Sequence, residues 1–193
     1  MFAGDAIASE FENKTALLLF PTPQRRSTIF TGKYIAAVLA SFLVVGVYYL
    51  VTIIEMGFLY GFGQIPVEML TSYLVVLVYS TSVVSVIYFF SSYFKRSITA
   101  MITGFFTFMM ILPIIDAILS SLDVEPWWLV TYNDALVTSV FSAVTTIGFG
   151  PGQNIPGAVA TSPDFTTGLI VMVVYTVVFF IAGLIMASHK QME

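Results

Sequence analysis

The sequence predicts an all-α integral membrane protein. It has four transmembrane helices, an amphipathic helix on the cytoplasmic side before the first of them, and a helical outer segment before the last. Three observations predict this. The chain is 58% apolar and only 9% charged, with a mean hydropathy of +0.95, whereas a soluble domain carries about 25% charged residues. So few charges cannot cover a water-exposed surface. The apolar residues gather into four runs, at 34–54, 72–93, 98–119 and 167–187, each close to the ~20 residues that cross ~30 Å of hydrocarbon as a helix. None of the runs contains Lys or Arg, and none alternates polar with apolar residues as a barrel strand does. In lipid every backbone amide needs an internal partner, so the runs are helices. The whole chain, 1–193, reads as a single transmembrane domain.

The opening stretch, 5–33, is the longest part not built to sit in lipid. It holds Lys14, Arg25, Arg26 and Lys33, four of the seven Lys and Arg residues. Residues 5–20 have helical spacing: Ile7, Phe11, Leu17 and Leu18 fall near one face, while Asp5, Glu10, Glu12 and Asn13 fall mostly elsewhere. Ser9 and Glu12 fit a capping box, an alternative start for the helix. The early acids and the later Lys14 suit the helix dipole. Pro21 and Pro23 end it, because proline lacks an amide donor and turns the preceding residue away from helix. Two roles remain open on the residues alone: docking a soluble partner, or resting on lipid headgroups.

Charge sets the orientation. An alternating four-span path puts all seven cations on one side, with Lys95 and Arg96 between the second and third spans and Lys190 after the fourth. Glu68, Asp123, Glu125, Asp134 and Asp164 fall on the other side, with no Lys or Arg. By the positive-inside rule both termini are cytoplasmic, in the cell (plasma) membrane. Arg25, Arg26, Lys33, Lys95 and Arg96 are the expected anchors at one interface. Trp127 and Trp128, with Tyr60 and Tyr73, sit where an aromatic belt forms at the other.

The connections differ in kind. The Lys95–Arg96 loop is short enough to make spans two and three a tight hairpin. The first outer link carries GFLYGFGQIP, a glycine-broken stretch ending at Pro66. The long outer segment, 120–166, contains a semi-apolar run at 129–147, rich in Thr, Ser, Val and Ala, and then GFGPGQNIPG. A fifth full span there would place Lys190 on the wrong side. The segment therefore reads as a re-entrant or surface-lying helix pair, re-entrance needing protein or a water-filled cavity around its backbone. The alternative is an outer loop with one amphipathic helix.

Chemistry is sparse. No phosphate-binding G-x-x-x-x-G-K-[ST] loop is present, and Gly32-Lys33-Tyr34 lacks both the upstream glycine and the magnesium-holding hydroxyl. The chain is not expected to be an enzyme or to carry a cofactor. With no cysteine and the single His189, a zinc site is not expected either. The Asn13-Lys14-Thr15 sequon is silent on the cytoplasmic side. Glu55 and Asp116 lie within about a turn of the outer ends of their spans, where an interfacial acid is the simpler reading than a proton relay. Neither has a motif suited to a carboxylate pair of the aspartic-protease type. Gly46, Ser82, Ser85, Gly104 and Gly183 permit close helix packing in a bundle or dimer.

The residues Glu10-Phe11-Glu12-Asn13-Lys14-Thr15, Leu17-Leu18-Leu19, Pro21 and Pro23, Arg25-Arg26 and Gly32-Lys33 follow one another in a recognisable order. This order resembles the ABC-2 type permease family, the membrane subunits of ATP-binding-cassette exporters. Many of these read acid–x–acid–x–Gly–Thr, leucines, proline, a basic residue, and Gly-Lys opening a span. Lys14 departs from the common glycine. The Phe94-Lys95-Arg96 hairpin and the broken outer segment are also similar. The resemblance implies that residues 5–20 form a coupling helix fitting a groove on a separate P-loop ATPase subunit. Ile7, Glu10, Phe11, Glu12, Thr15 and Leu18 would be the docking residues. It implies a second permease chain, identical or different, and contact with membrane lipid, and no nucleic acid. Such permeases usually carry six spans, two of them before this motif. The chain is thus expected to lack those two, as a truncated gene product, a misassigned start or a split subunit. A non-transporting membrane scaffold or assembly subunit is the alternative.

Overall fold

A computed structural model describes Gly4, Ala8 and residues 26–61, 63, 68–94, 96–122, 124–139 and 164–189. Described residues are mostly helical, with no strand among them. Four helical stretches, Thr28–Tyr60, Glu68–Tyr93, Ser97–Leu119 and Phe165–Ala187, are long and apolar enough to cross a membrane. The protein is a multi-pass membrane protein, as the four apolar runs predict.

Helix α1 spans Arg26–Tyr60. Its 35 residues cover about 52 Å at 1.5 Å per residue, well beyond the ~30 Å of hydrocarbon. It starts and ends outside the predicted 34–54 because no proline interrupts it between Pro23 and Pro66. Gly61 stops it: its φ of 87° is left-handed, and its N–H donates to the Gly57 carbonyl at 3.1 Å, a glycine termination after the last turn. Helix α2 spans Glu68–Tyr93, with Glu68 in its first turn, where a carboxylate suits the dipole. Arg96 is extended and precedes helix α3, Ser97–Phe106, so the predicted tight hairpin forms over 94–96.

The third span does not run straight through. A π-helical turn at Thr107–Ile111 separates α3 from helix α4, Leu112–Ser121. Pro113 accounts for it. Proline has no N–H for the ladder and its ring collides with the carbonyl four residues back, and the wider π turn absorbs both demands. The Thr107 hydroxyl donates to the Thr103 carbonyl at 2.8 Å. Beyond Trp127 and Trp128, a 3₁₀ turn at Tyr132–Asp134 leads into helix α5, Ala135–Ser139. Helix α6 spans Phe165–His189. Asp164 caps it, its carboxylate accepting from the Thr167 hydroxyl at 3.0 Å and the Thr167 N–H at 3.4 Å.

Helix α2 is the hub. It packs on α1, α3, α5 and most extensively on α6. The contact pairs fix directions. Tyr34 and Phe30 of α1 meet Ser85 and Tyr88 of α2, while Tyr49 meets Ser72, so α1 and α2 are antiparallel. Val75 packs on Met172 and Tyr88 on Phe180, so α2 and α6 are parallel. This up-down path gathers the described cations, Arg26, Lys33 and Arg96, at one end of the bundle. The described acids Glu55, Glu68, Asp116, Glu125, Asp134 and Asp164 are gathered at the other. We call these the basic and acidic ends. Most of the outward face is apolar, as a bilayer requires: Leu43 is 71% and Met109 70% exposed.

Candidate functional site

The basic end is built around α2. Two of its hydroxyls at this end bond inside the helix: Ser85 donates to the Thr81 carbonyl at 2.8 Å and Ser92 to the Tyr88 carbonyl at 3.1 Å. Self-bonded serines leave a smooth, small surface that neighbouring backbones can approach. Tyr34, Tyr88 and Phe180 meet there, with ring centroids 5.3 Å apart for Tyr34–Tyr88 and 4.4 Å for Tyr34–Phe180. Phe30 and Ala187 close the cluster.

Two residues of the amino-terminal segment reach this end. Gly4 and Ala8 are both helical and buried. The Ala8 N–H donates to Ser91 Oγ at 3.1 Å. Gly4 lies against Met101 of α3 and Ile87 of α2. Gly4 precedes the predicted helix start at residue 5, and neither it nor Ala8 was among the predicted docking residues. Their spacing, small–x–x–x–small, is the signal that finds them. The predicted docking residues Ile7, Glu10, Phe11, Glu12, Thr15 and Leu18, and the anchors Arg25 and Lys95, lie outside the described residues. Arg26 opens α1, Lys33 is partly buried one to two turns later, and Arg96 is exposed at the hairpin.

Ile87 and Met101 also line an apolar groove of about 270 Å³ between α2 and the third span, continuing past Val83, Gly104, Phe105 and Phe108. Gly104 gives it a low floor, since even a Cβ there would stand only 3.3 Å from Ile87 Cγ1.

The acidic end is closed by the described part of the outer segment. Leu129, Val130, Asn133 and Leu136 are almost wholly buried. Leu136 packs between Val75 of α2 and Met172 of α6, and the Ser72 hydroxyl, itself bonded to Tyr49 at 2.8 Å, donates to the Val137 carbonyl at 2.9 Å. Val75 and Met172 each stand seven residues inside their helices, so the segment dips about 10 Å along the bundle. Asn133 ties it together: Nδ2 donates to the Leu129 carbonyl at 2.7 Å and the Trp127 carbonyl at 2.9 Å. Its Oδ1 has no hydrogen-bond partner and faces Gly168 of α6. Trp127 and Trp128 are exposed, edge to face at 5.8 Å. The stretch 140–163, with GFGPGQNIPG, lies outside the described residues.

Of the acids, Glu55 is exposed and Asp116 half-buried, with Oδ1 lacking a hydrogen-bond partner. Burial pushes the Asp134 carboxyl above the usual carboxylate range although part of its surface is open, and the Asp116 carboxylate pushes it the same way. A raised carboxyl binds its proton more tightly folded than unfolded, so this group lowers stability as pH rises through the carboxylate range. Asp134→Asn is therefore expected to raise the thermal midpoint in detergent at neutral pH, with the gain shrinking as pH falls below that range. An equal gain at both extremes would assign the effect to something other than charge. No cluster of three His, Cys, Asp or Glu suited to a metal occurs among the described residues.

No protein-family model, curated protein or solved structure matches the chain. The fold and the two ends thus define a class, a multi-pass helical membrane protein whose described charged residues are divided by sign between the two ends of the bundle.

Proposed function

We propose that the chain is the membrane-spanning permease subunit of an ATP-binding-cassette exporter of the ABC-2 type, working with a separate P-loop ATPase subunit and a second permease chain. The supporting observation is the seating of the amino-terminal segment. Gly4 and Ala8, which precede the family-like residues in the chain, are held at the basic end by the Ala8–Ser91 hydrogen bond and the Gly4 contacts. By the positive-inside rule that end is cytoplasmic, where ATP is. It is the end at which a soluble ATPase would reach Ile7, Glu10, Phe11, Glu12, Thr15 and Leu18.

In this mechanism the ATP chemistry belongs to the partner. Closure of the ATPase pair displaces the docked segment, and the segment displaces the bundle. Arg25, Arg26, Lys33, Lys95 and Arg96 hold the cytoplasmic interface, each contributing about 1 kcal/mol near anionic headgroups. Trp127 and Trp128 hold the outer one. Tyr34, Tyr88 and Phe180 fill the place where α1, α2 and α6 meet. The substrate path therefore runs between two permease chains, capped by the outer segment. The same filled core suits the rival, a membrane scaffold or assembly subunit without transport.

Co-purification separates the two. Phe11→Asp and Glu10→Lys are expected to insert normally into membranes and to lose most of a bound ATPase subunit. Full retention of the ATPase by both variants would sink the docking assignment. An unaltered chain that captures no ATPase would favour the scaffold.

A further inference from the structure

Gly4 and Ala8 are both helical and buried. Between them they are pressed against two helices. On α2, Ser91 accepts the Ala8 N–H at 3.1 Å in a buried bond. On α3, Met101 stands so close to Gly4 that an added Cβ would lie 2.9 Å from its Cγ and 3.3 Å from its Cα, with Ile87 Cγ2 of α2 at 3.5 Å. Backbone meets backbone here, which only a residue without a side chain allows. The contacts of the seat are Ser91 and Ile87 on α2 and Met101 on α3, and the neighbouring small residues Ser92, Ser97 and Ala100 are buried too. The two helices are joined over 94–96 alone.

We propose that Gly4 and Ala8 are positioning residues that fasten the amino-terminal segment across the α2–α3 hairpin, making that hairpin the first element a docked partner moves. The role in coupling rests on the permease reading; the seat itself does not. A segment touching only one helix would tilt it alone. A segment wedged across both, with tight backbone contact on α3 and a hydrogen bond to α2, carries the pair as a unit. Ala8 and Gly4 are thereby separated in role from Ile7, Glu10 and Phe11, which the permease reading assigns to the partner.

The chain has no cysteine, so introduced pairs report cleanly. In membranes, Ala8→Cys with Ser91→Cys is expected to form a disulfide on oxidation, leaving the fragments joined after trypsin cuts at Arg25 and Arg26 until a reductant is added. Fragments that separate without reductant overturn the seat. For the role, Arg96→Cys carries a fluorophore in vesicles containing the chain with its ATPase subunit, and ATP plus vanadate is added. The unaltered seat is expected to give a nucleotide-dependent change in emission. Gly4→Leu is expected to lose that change while still holding the ATPase. Gly4→Ala should diminish it, and Gly4→Ala with Met101→Ala, which removes the nearest atom, should restore it. A full signal from Gly4→Leu overturns the positioning role. Failure of any ATPase to co-purify removes the permease reading and the coupling role with it, while the disulfide result independently decides the seat.

Discussion

Gly168→Leu is expected to expel the outer segment from the bundle. A Cβ at position 168 would overlap Leu136 Cδ1 and stand 2.6 Å from Asn133 Oδ1. Neither neighbour can step aside. Leu136 and Asn133 are each 1% exposed, and Asn133 is pinned through Nδ2 to two carbonyls. Overfilling a packed site typically costs about 1–3 kcal/mol, and leucine adds three further carbons to a gap that has no room for one. Only displacement of 126–139 or a shift of α6 relieves the overlap. The chain's two tryptophans, Trp127 and Trp128, both belong to this segment, so their emission reports its release. The variant should show a red-shifted emission and a lowered midpoint in detergent, and Gly168→Ala a smaller change in the same direction. Gly32→Leu is the control, because a Cβ at Gly32 meets nothing within 4 Å. Wild-type emission and midpoint from Gly168→Leu would mean that the outer segment does not rely on this approach.

The same site shows what hydropathy can and cannot disclose. Each span was legible because a run of ~20 apolar residues without Lys or Arg has few alternatives in lipid. The 94–96 hairpin was legible because two such runs stood almost in contact. The extension of α1 from Arg26 to Tyr60 was not, because a polar turn at either end of a span lowers hydropathy without breaking a helix. Its true end, Gly61, was one of three glycines in GFLYGFGQ, and only the left-handed φ singles it out. The break in the third span was not legible in the run at 98–119, whose apolar residues continue through Pro113; the π turn at Thr107–Ile111 shows only in the structure. Burial of Asn133 was invisible for a different reason. An asparagine in a semi-apolar stretch reads as loop until the carbonyls of Trp127 and Leu129 are seen to converge on it. Residues 5–20 showed helical periodicity, yet the contacts that seat the segment come from Gly4 and Ala8, which add nothing to an apolar stripe.

Tyr88 is where the opposite end would fail. It is fully buried, its hydroxyl donates to the Phe30 carbonyl of α1 at 3.1 Å, and its ring stands edge-on to Tyr34 and beside Phe180 of α6. Gly183 exists in α6 to let that ring in, since a Cβ there would lie 2.9 Å from Tyr88 Cδ1. Two substitutions divide the contributions. Tyr88→Phe removes one hydrogen bond and keeps the ring. The Phe30 carbonyl still accepts within α1, so the loss should be about 1 kcal/mol. Tyr88→Ala empties the junction of three helices, and truncation of a buried aromatic costs about 3–5 kcal/mol. In lipid the cost comes from lost van der Waals contact, because apolar surface there gains nothing from leaving water. The alanine variant should therefore unfold at a far lower detergent concentration or temperature than the phenylalanine variant. It should also loosen α1 from α2 at the end where the amino-terminal segment is seated, increasing protease access near Arg26. Equal losses from the two variants would mean that the hydroxyl, not the ring, holds the basic end together. Wild-type stability from Tyr88→Ala would remove Tyr88 as the junction altogether.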